Sequence, residues 1–337
     1  MSEGIREGFA GVRPERLALL EADGALLTWD ALGDGTPHAQ VWDAARAATW
    51  LWQFGPGQDG PVAGRQFDGL GDAVTRFARR AAVAGWARAW WPASHAAGIP
   101  PLDPRIVTLD RAVAFAAVEH LLDGTEALEG ELTSALAAAG SLEWDSPAVI
   151  DDEVAGLIAG VRELAEDAGL DAAAVSPWPA ERREYALAAA GSAEDADEVL
   201  AQGAELISPH RLAPGIADPF APARWQLLRG ARPLLRVTVP GAPRHPADFP
   251  PPEPLLATFA GVSLWLEPGP GGYLGEREVE ASVLLQRPVL AVHSTDFAGD
   301  EPPLAVEERA AILDAVRARL RAPATAYERE AARRGLR

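Results

Sequence analysis

Apolar residues in the first half of the chain recur at the three- and four-residue spacing that amphipathic helices show. Phe67, Val74 and Phe77, for example, fall on one side of such a helix. The segment that starts at Ser146 is the clearest, because acidic residues follow at the positive end of the helix dipole. The spacing predicts helices over residues 36–53, 67–91, 104–122, 125–139 and 146–169.

Beyond about residue 175 the apolar residues form short runs that glycine and proline bound, and "LLRVTVPG" and "GVSLWLEPG" alternate as half-buried strands do. No βαβ rhythm is present, which favours an antiparallel sandwich over a doubly wound sheet. We therefore predict an α+β protein, with an all-α domain over residues 1–175 and a β-sandwich-like domain with a C-terminal helix over residues 176–337. The runs predict strands at residues 185–190, 205–207, 225–228, 234–239, 256–259, 262–266, 277–283 and 289–293, and a closing helix at 304–320.

The composition excludes several chemistries, because the chain has no cysteine, no lysine and no asparagine, and all 30 basic residues are arginine. Without cysteine the described chemistry cannot include disulfides, thiolate nucleophiles or cysteine zinc sites. Without lysine it cannot include a P-loop lysine or a Schiff base. Codon usage in a high-GC bacterium, such as an actinobacterium, explains these gaps more simply than function does. We expect no cofactor and no metal.

The charge argues against polyanionic partners, since 49 acidic residues against 30 arginines give a net charge of −19. Such a chain repels nucleic-acid phosphates and anionic membrane surfaces. No apolar run has the length of a membrane span, and the charged N-terminus does not resemble a signal peptide. These features predict a cytoplasmic protein that binds neither nucleic acid nor membrane.

Three tryptophans fall within six positions of "WARAWWPASHAAGIPPLDP", just before a proline that should end their helix. Large rings at such a turn suit a packing joint between two helices. The alternative is that Trp86, Trp90 and Trp91 line a groove for a peptide or a small ligand. The sequence favours the joint and leaves the groove open.

The histidines suggest an enzyme only weakly, because no GxSxG or HExxH motif accompanies them. His95 follows the tryptophans, and His293 and Asp296 follow an apolar strand, where sheets commonly present functional residues. A hydrolase site assembled from His95, Asp103 and His293 is the enzymatic alternative.

Three consecutive carboxylates, Asp151, Asp152 and Glu153, could also meet a divalent cation. The start of a helix explains their position already, because acidic side chains stabilise its positive end. We interpret them as structural.

In residues 207–241, Pro214 and Gly215 precede an acidic turn at Asp218, and Trp225 opens a strand. With these features the segment resembles part of actinobacterial proteins that have no known activity. Those proteins pair a helical N-terminal half with a β-rich C-terminal half, and "AWWPASHAAGIPPLDP" is similar to a segment of theirs as well. The resemblance implies an accessory or adaptor protein in a multi-gene bacterial system.

Together these observations favour a non-enzymatic cytoplasmic binding or adaptor protein that has another protein as its partner. The alternatives are the hydrolase described above and a sensor that takes a small molecule in the Trp86, Trp90 and Trp91 region.

We predict that the protein does not bind nucleic acid at physiological salt, because its net charge is −19 and no long basic run offsets it. Fluorescence anisotropy with labelled duplex and single-stranded oligonucleotides should detect no complex. Nanomolar binding that weakens steeply as salt is added would contradict the prediction.

Overall fold

The structure is a computed structural model, and it describes most of the chain. The described residues are 14–33, 37–54, 65–66, 73–171, 175, 178, 198–208, 211–213, 215–248, 253–280, 282–283, 289–294 and 304–335.

The chain forms two compact units, and each is built from separate stretches of sequence. The main division falls between Pro179 and Ala180. In addition, Pro92–Pro101 belongs to the second unit although helices of the first unit flank it, and Arg319–Arg333 belongs to the first unit although it lies near the C-terminus.

The first unit contains an antiparallel sheet that the all-α prediction missed. Its strands follow the order β1-β2-β3-β4, and a short helix, α1 (Ala44–Ala47), follows β3. The predicted helix over residues 36–53 is therefore wrong, since β3, α1 and a 3-10 turn at Leu51–Phe54 occupy most of that range. The strand bounds are β1 (Leu17–Ala22), β2 (Ala25–Asp30), β3 (His38–Val41) and β4 (Arg65–Gln66).

A two-residue turn at Asp23-Gly24 joins β1 and β2 into a hairpin, with Ala22 paired to Ala25. Gly24 has a φ of +78°, which favours glycine. A Cβ at this position would also lie 2.6 Å from the carbonyl oxygen of Asp43. The turn therefore needs glycine both for its backbone conformation and for the close approach of the next segment.

Five further helices complete the first unit, and α3 is the most deeply buried of them. Asp103 caps α3 and Pro104 occupies its first position, as the sequence predicts. Helices α2, α4 and α5 pack against α3. The helix bounds are α2 (Ala73–Trp90), α3 (Pro104–Ala116), α4 (Glu126–Asp145), α5 (Asp152–Asp167) and α7 (Ala326–Arg334).

The second unit is built on one curled antiparallel sheet of seven strands in the order β11-β8-β9-β10-β7-β6-β5. In the described residues the strands thus form a single sheet, where the sequence predicted the two layers of a sandwich. Inward-facing side chains such as Leu235, Val237 and Val239 alternate with outward-facing ones and form the core. The strand bounds are β5 (Val199–Glu205), β6 (Ala223–Leu228), β7 (Leu234–Pro240), β8 (Leu255–Phe259), β9 (Val262–Gly269), β10 (Gly272–Glu278) and β11 (Leu290–His293).

Most of the predicted elements of the second half are present with shifted ends. The strand predicted at 205–207 overlaps β5 only at Glu205, and the one predicted at 277–283 overlaps β10 only at Arg277 and Glu278. The strand predicted at 185–190 lies outside the described residues. The closing helix, α6 (Val306–Arg321), is confirmed, but α7 follows it and was not predicted.

Among the described residues, no helix combines the length and the apolar character needed to cross a bilayer.

We predict that Tyr273 makes the second unit sensitive to alkali. Burial raises the pKa of its phenol from 10.0 to about 12, so the folded chain keeps a proton that the unfolded chain loses. Unfolding free energy should then fall between pH 10 and 12, and by about 1 kcal/mol at pH 11.

Urea unfolding of the parent chain and of Tyr273→Phe at pH 8 and pH 11 measures this contribution. Because the chain has no lysine or cysteine, few other groups titrate in this range. We expect the variant to lose less stability between the two pH values. Equal losses in both chains would show that Tyr273 does not cause the effect.

Candidate functional site

Helix α2 carries three arginines on one face. Arg76, Arg79 and Arg80 stand at positions i, i+3 and i+4, and Val83 continues the same stripe one turn later. Side chains at these spacings are neighbours on a helix, with Cβ atoms roughly 5–6 Å apart. The stripe therefore concentrates positive charge within a single turn.

A cavity of about 450 Å³ lies beside this stripe, and all of its lining residues belong to the first unit. Its volume falls within the range of small-molecule sites. We call it the arginine pocket. It is lined by Arg76, Arg79, Arg80, Val83, Glu153, Arg319, Ala322, Ala324, Thr325, Tyr327 and Glu328.

Arg80 is held in place by Asp110, a carboxylate in the middle of α3 with no exposed surface. The Nε of Arg80 lies 3.2 and 3.1 Å from the two carboxylate oxygens, and Nη2 donates a further bond. Burial raises the pKa of Asp110, whereas its hydrogen bonds to Arg80 oppose that shift. The hydrogen bond to Asp110 raises the pKa of Arg80, which stays charged.

Arg319 is also committed to protein partners. Its Nη1 donates to Glu328 at 2.9 Å, and its Nη2 donates to the carbonyl oxygen of Ala31. Its guanidinium lies over the ring of Trp86, 5.7 Å from the centroid. These three contacts fix the cation in the wall of the pocket.

The wall around Arg319 depends on a capping box at the start of α7. Glu328 accepts hydrogen bonds from the backbone N–H groups of Ala324 at 2.9 Å and Thr325 at 3.2 Å. Thr325 accepts in return, at 3.4 Å, from the backbone N–H of Glu328. The sequence signal for this motif is the Thr-x-x-Glu of "TAYE", which the periodicity analysis passed over.

Glu153 enters the pocket from the first turn of α5. Asp151 caps this helix by accepting from the backbone N–H of Val154 at 3.0 Å, so α5 begins at Asp152 and not near Pro147. That backbone bond lowers the pKa of Asp151, and a 2.6 Å bond from Arg333 adds to the effect.

The carboxylate of Glu153 accepts from both Nε and Nη2 of Arg329, and the Nε contact measures 2.7 Å. The interpretation of residues 151–153 as the start of a helix is therefore confirmed. No group of acidic or histidine residues in the described part of the chain has the arrangement of a metal site.

Tyr327 lines the pocket and is almost completely buried. Burial raises the pKa of its phenol above the ordinary value, so the side chain is neutral at pH 7. The lining includes neither histidine nor cysteine.

Arg76 differs from the other arginines of the pocket. It is exposed, and the structure gives it no hydrogen bond or ion pair with any residue in the described part of the chain. The lining holds four arginines and two glutamates, and both glutamates are already paired with an arginine. The arrangement can attract and bind an anion.

The tryptophan cluster has a buried centre. The Nε1 of Trp86 donates to the carbonyl oxygen of Glu15 at 2.6 Å, and its ring meets that of Trp91 edge-on at 6.3 Å. Trp90 is half-buried. Trp86 and Trp91 thus pack at the end of α2, and Arg319, which lines the arginine pocket, lies over the ring of Trp86. Whether the cluster also forms a groove stays a prediction.

Ser94 and His95 lie in the loop Pro92–Pro101 of the second unit. Ser94 donates at 2.7 Å to Asp218, which also accepts from the backbone N–H groups of Ala96 at 3.1 Å and Phe220 at 3.0 Å. Asp218 is buried and His95 is exposed. Asp218 therefore holds the loop in shape, a role that no local pattern indicated.

The other residues of the hydrolase hypothesis have separate surroundings. Asp103, in the first unit, is buried and paired with Arg105 at 2.8 Å. His293, in the second unit, has its Nδ1 3.1 Å from the carbonyl oxygen of Ser294. Asp296 lies outside the described residues. The hypothesis stays a prediction.

No protein-family model matches the chain, and neither the curated proteins nor the solved structures compared with it include a match.

We predict a graded series of destabilisation for three tryptophans of the first unit. Trp86 is 3% exposed, so Trp86→Ala should lower the free energy of unfolding by about 3–5 kcal/mol. Trp90→Ala should cost less, because its ring is half-buried. Trp144 is 88% exposed, and Trp144→Ala serves as the control with little effect.

Urea unfolding followed by circular dichroism measures all three variants. A Trp86→Ala chain that unfolds like the Trp144→Ala control would refute the packing joint. The cluster would then become the first place to search for a ligand.

Proposed function

We propose that the protein is a non-enzymatic binding protein that takes a small organic anion in the arginine pocket. The observation that carries the proposal is the exposed Arg76, which has no hydrogen bond or ion pair with a described residue, at a cavity of about 450 Å³ that is lined by four arginines, in a chain of net charge −19. A local positive field within an acidic molecule concentrates anions at one place.

The acidic side chains of the pocket already have partners, which favours an anionic ligand over a zwitterion. Glu153 is paired with Arg329, and Glu328 is occupied by Arg319 and two backbone N–H groups. An amino group on the ligand would have to displace one of these partners. Arg76 has no such commitment to a described residue, so an incoming carboxylate or phosphate gains its hydrogen bonds without breaking others.

The size and the remaining lining of the pocket support an organic ligand. A water molecule takes about 30 Å³ in the liquid, so the cavity has room for many times the volume of a bare oxyanion head group. Val83, Ala322 and Ala324 supply apolar surface beside the arginines. An apolar body attached to the anionic group would fill this space.

We further propose an adaptor role in the cytoplasm, within a multi-component bacterial system and with another protein as partner. The resemblance of residues 207–241 to actinobacterial proteins and the acidic charge of the chain support this role. Binding of the anion would be the signal that the adaptor reports.

A second candidate is a small-ligand sensor that uses the tryptophan region. The specific support is the position of Arg319, which lines the arginine pocket and also stacks over Trp86. A ligand that draws on Arg319 would change the surroundings of the indole. Quenching or a shift of the emission that disappears in Trp86→Phe would support this role.

We predict that Arg76→Ala removes anion binding without unfolding the protein, because Arg76 is exposed. At low ionic strength, millimolar phenyl phosphate or benzoate should raise the melting temperature of the parent chain. Occupancy at a hundred times the dissociation constant corresponds to a shift of roughly 5 °C or more. Benzyl alcohol and benzylamine should have no such effect.

Arg88→Ala is the matched control, because Arg88 is exposed on the same helix and does not line the pocket. It removes the same charge and should keep the response to anions. If both variants respond like the parent chain, or if sodium chloride of equal ionic strength has the same effect, the arginine pocket is not the binding site.

A further inference from the structure

We infer that two copies of this chain associate through the outward face of the seven-stranded sheet, as a dimer with a two-fold axis parallel to the strands. The outward face carries the side chains that point away from the core of the second unit. The inference goes beyond the proposed function and does not depend on the arginine pocket, whose lining residues all belong to the first unit.

One row of four side chains crosses the four central strands on this face. Glu267 of β9 lies opposite Leu274 of β10. Leu274 lies opposite Thr238 of β7, and Thr238 lies opposite Arg224 of β6. All four side chains are exposed, and we call them the outer row. The outer row is thus acidic at one end, basic at the other and neutral between.

The two charges of the outer row have no partner within the described part of the chain. Neither the side chain of Glu267 nor that of Arg224 forms a hydrogen bond or an ion pair with a described residue. Their backbones are three strand spacings apart, which is about 14 Å, and Leu274 and Thr238 stand between them. Both charges are therefore available to a neighbouring molecule.

An exposed apolar patch adjoins the outer row. Trp265 precedes Glu267 by two residues on β9, so it points to the same face. Trp265 is 54% exposed and Leu274 is 49% exposed. The two occupy diagonal positions on paired strands, roughly 7–8 Å apart, and Leu256 of β8 lies opposite Trp265. Adjoining apolar side chains on a surface mark an interaction site.

The order of the charges fits a second copy of the same chain. A two-fold axis that runs between β10 and β7 places β9 of one copy over β6 of the other. Glu267 then faces Arg224 of the second copy, and the symmetry repeats this contact. A partner with one sign of charge would instead meet a like charge at one end of the outer row.

The neighbouring row agrees with the same axis. Glu276 of β10 lies opposite Arg236 of β7, and the two form an ion pair within the chain. The axis places each of them over the other residue of the second copy, so four charges of alternating sign surround it. Trp265 meets β6 of the second copy, where the guanidinium of Arg224 can pack against the indole.

The dimer should be weak and should depend on concentration. Sheets that pack face to face lie about 10 Å apart, a gap that the side chains of both outer rows can fill. The curl of the sheet restricts such contact to the central strands. The buried area therefore lies at the small end of protein interfaces, where association is transient.

Sedimentation equilibrium of the full chain at about 0.15 M salt tests the inference. The Debye length is then about 8 Å, so long-range repulsion between two chains of net charge −19 is largely screened. We expect the mean mass to rise from that of the monomer towards twice this value as the concentration increases to about 100 μM, a range that suits a small interface. A chain that stays monomeric throughout would overturn the inference.

Charge reversal tests the pairing of the two ends. Arg224→Glu and Glu267→Arg each place like charges against one another twice in the dimer. Each should raise the dissociation constant of the dimer about tenfold or more, because two attractive contacts become repulsive. Both positions are exposed, so circular dichroism should show an unchanged fold. Arg232→Glu makes the same charge change in the exposed turn before β7, and this control should dimerise like the parent chain.

Two combinations of these variants should restore the dimer. The double variant Arg224→Glu/Glu267→Arg exchanges acid and base, so opposite charges meet again. An equimolar mixture of the two single variants should also associate, because each chain offers the charges that the other lacks. If the single variants dimerise like the parent chain, or if neither combination restores association, the inferred interface is wrong.

Discussion

The fully buried carboxylate of Asp110 is the constraint on which the first unit depends. An isolated charge inside a packed helix layer is strongly unfavourable, and breaking such a pair typically costs about 3–5 kcal/mol. Arg80 satisfies it and thereby sets the rotation of α2 against α3. Once Arg80 faces Asp110, helical geometry puts Arg76 and Arg79 on the same face, so the positive stripe cannot turn away.

The lining residues near the end of the chain depend on contacts of the same kind. The capping box of Thr325 and Glu328 begins α7, and Arg329 pairs with Glu153 at the start of α5. The two glutamates of the pocket are thereby occupied by a helix end and by ion pairs, while Arg76 keeps no bond to a described residue. This is the physical basis for expecting an anionic ligand at the pocket.

Local patterns predicted the fold well wherever a single element carries its own signals. Asp103-Pro104 starts α3 as expected, because the cap and the proline act within one turn. The all-α prediction lacked the β1–β2 hairpin, although "LALLEADGALLTWD" contains an Asp-Gly turn between alternating strands, because helical spacing dominates the rest of the first half. For the second half the sequence predicted a sandwich-like domain, and the described strands form one curled sheet. Alternation reports one buried face, and it does not report whether the strands form one sheet or two.

For the site, the sequence by itself determined which types of charged side chain are available. A chain without lysine or cysteine can offer an anion only arginine as a strong cation, and "RFARR" already puts three arginines at helical spacing. Only the tertiary structure decided that this stripe borders a cavity, that Asp110 anchors Arg80, and that Glu328 and Arg319 return from the far end of the chain to complete the wall. Contacts between distant segments depend on which buried surfaces and charges satisfy one another in three dimensions, and no periodicity along the chain records that choice.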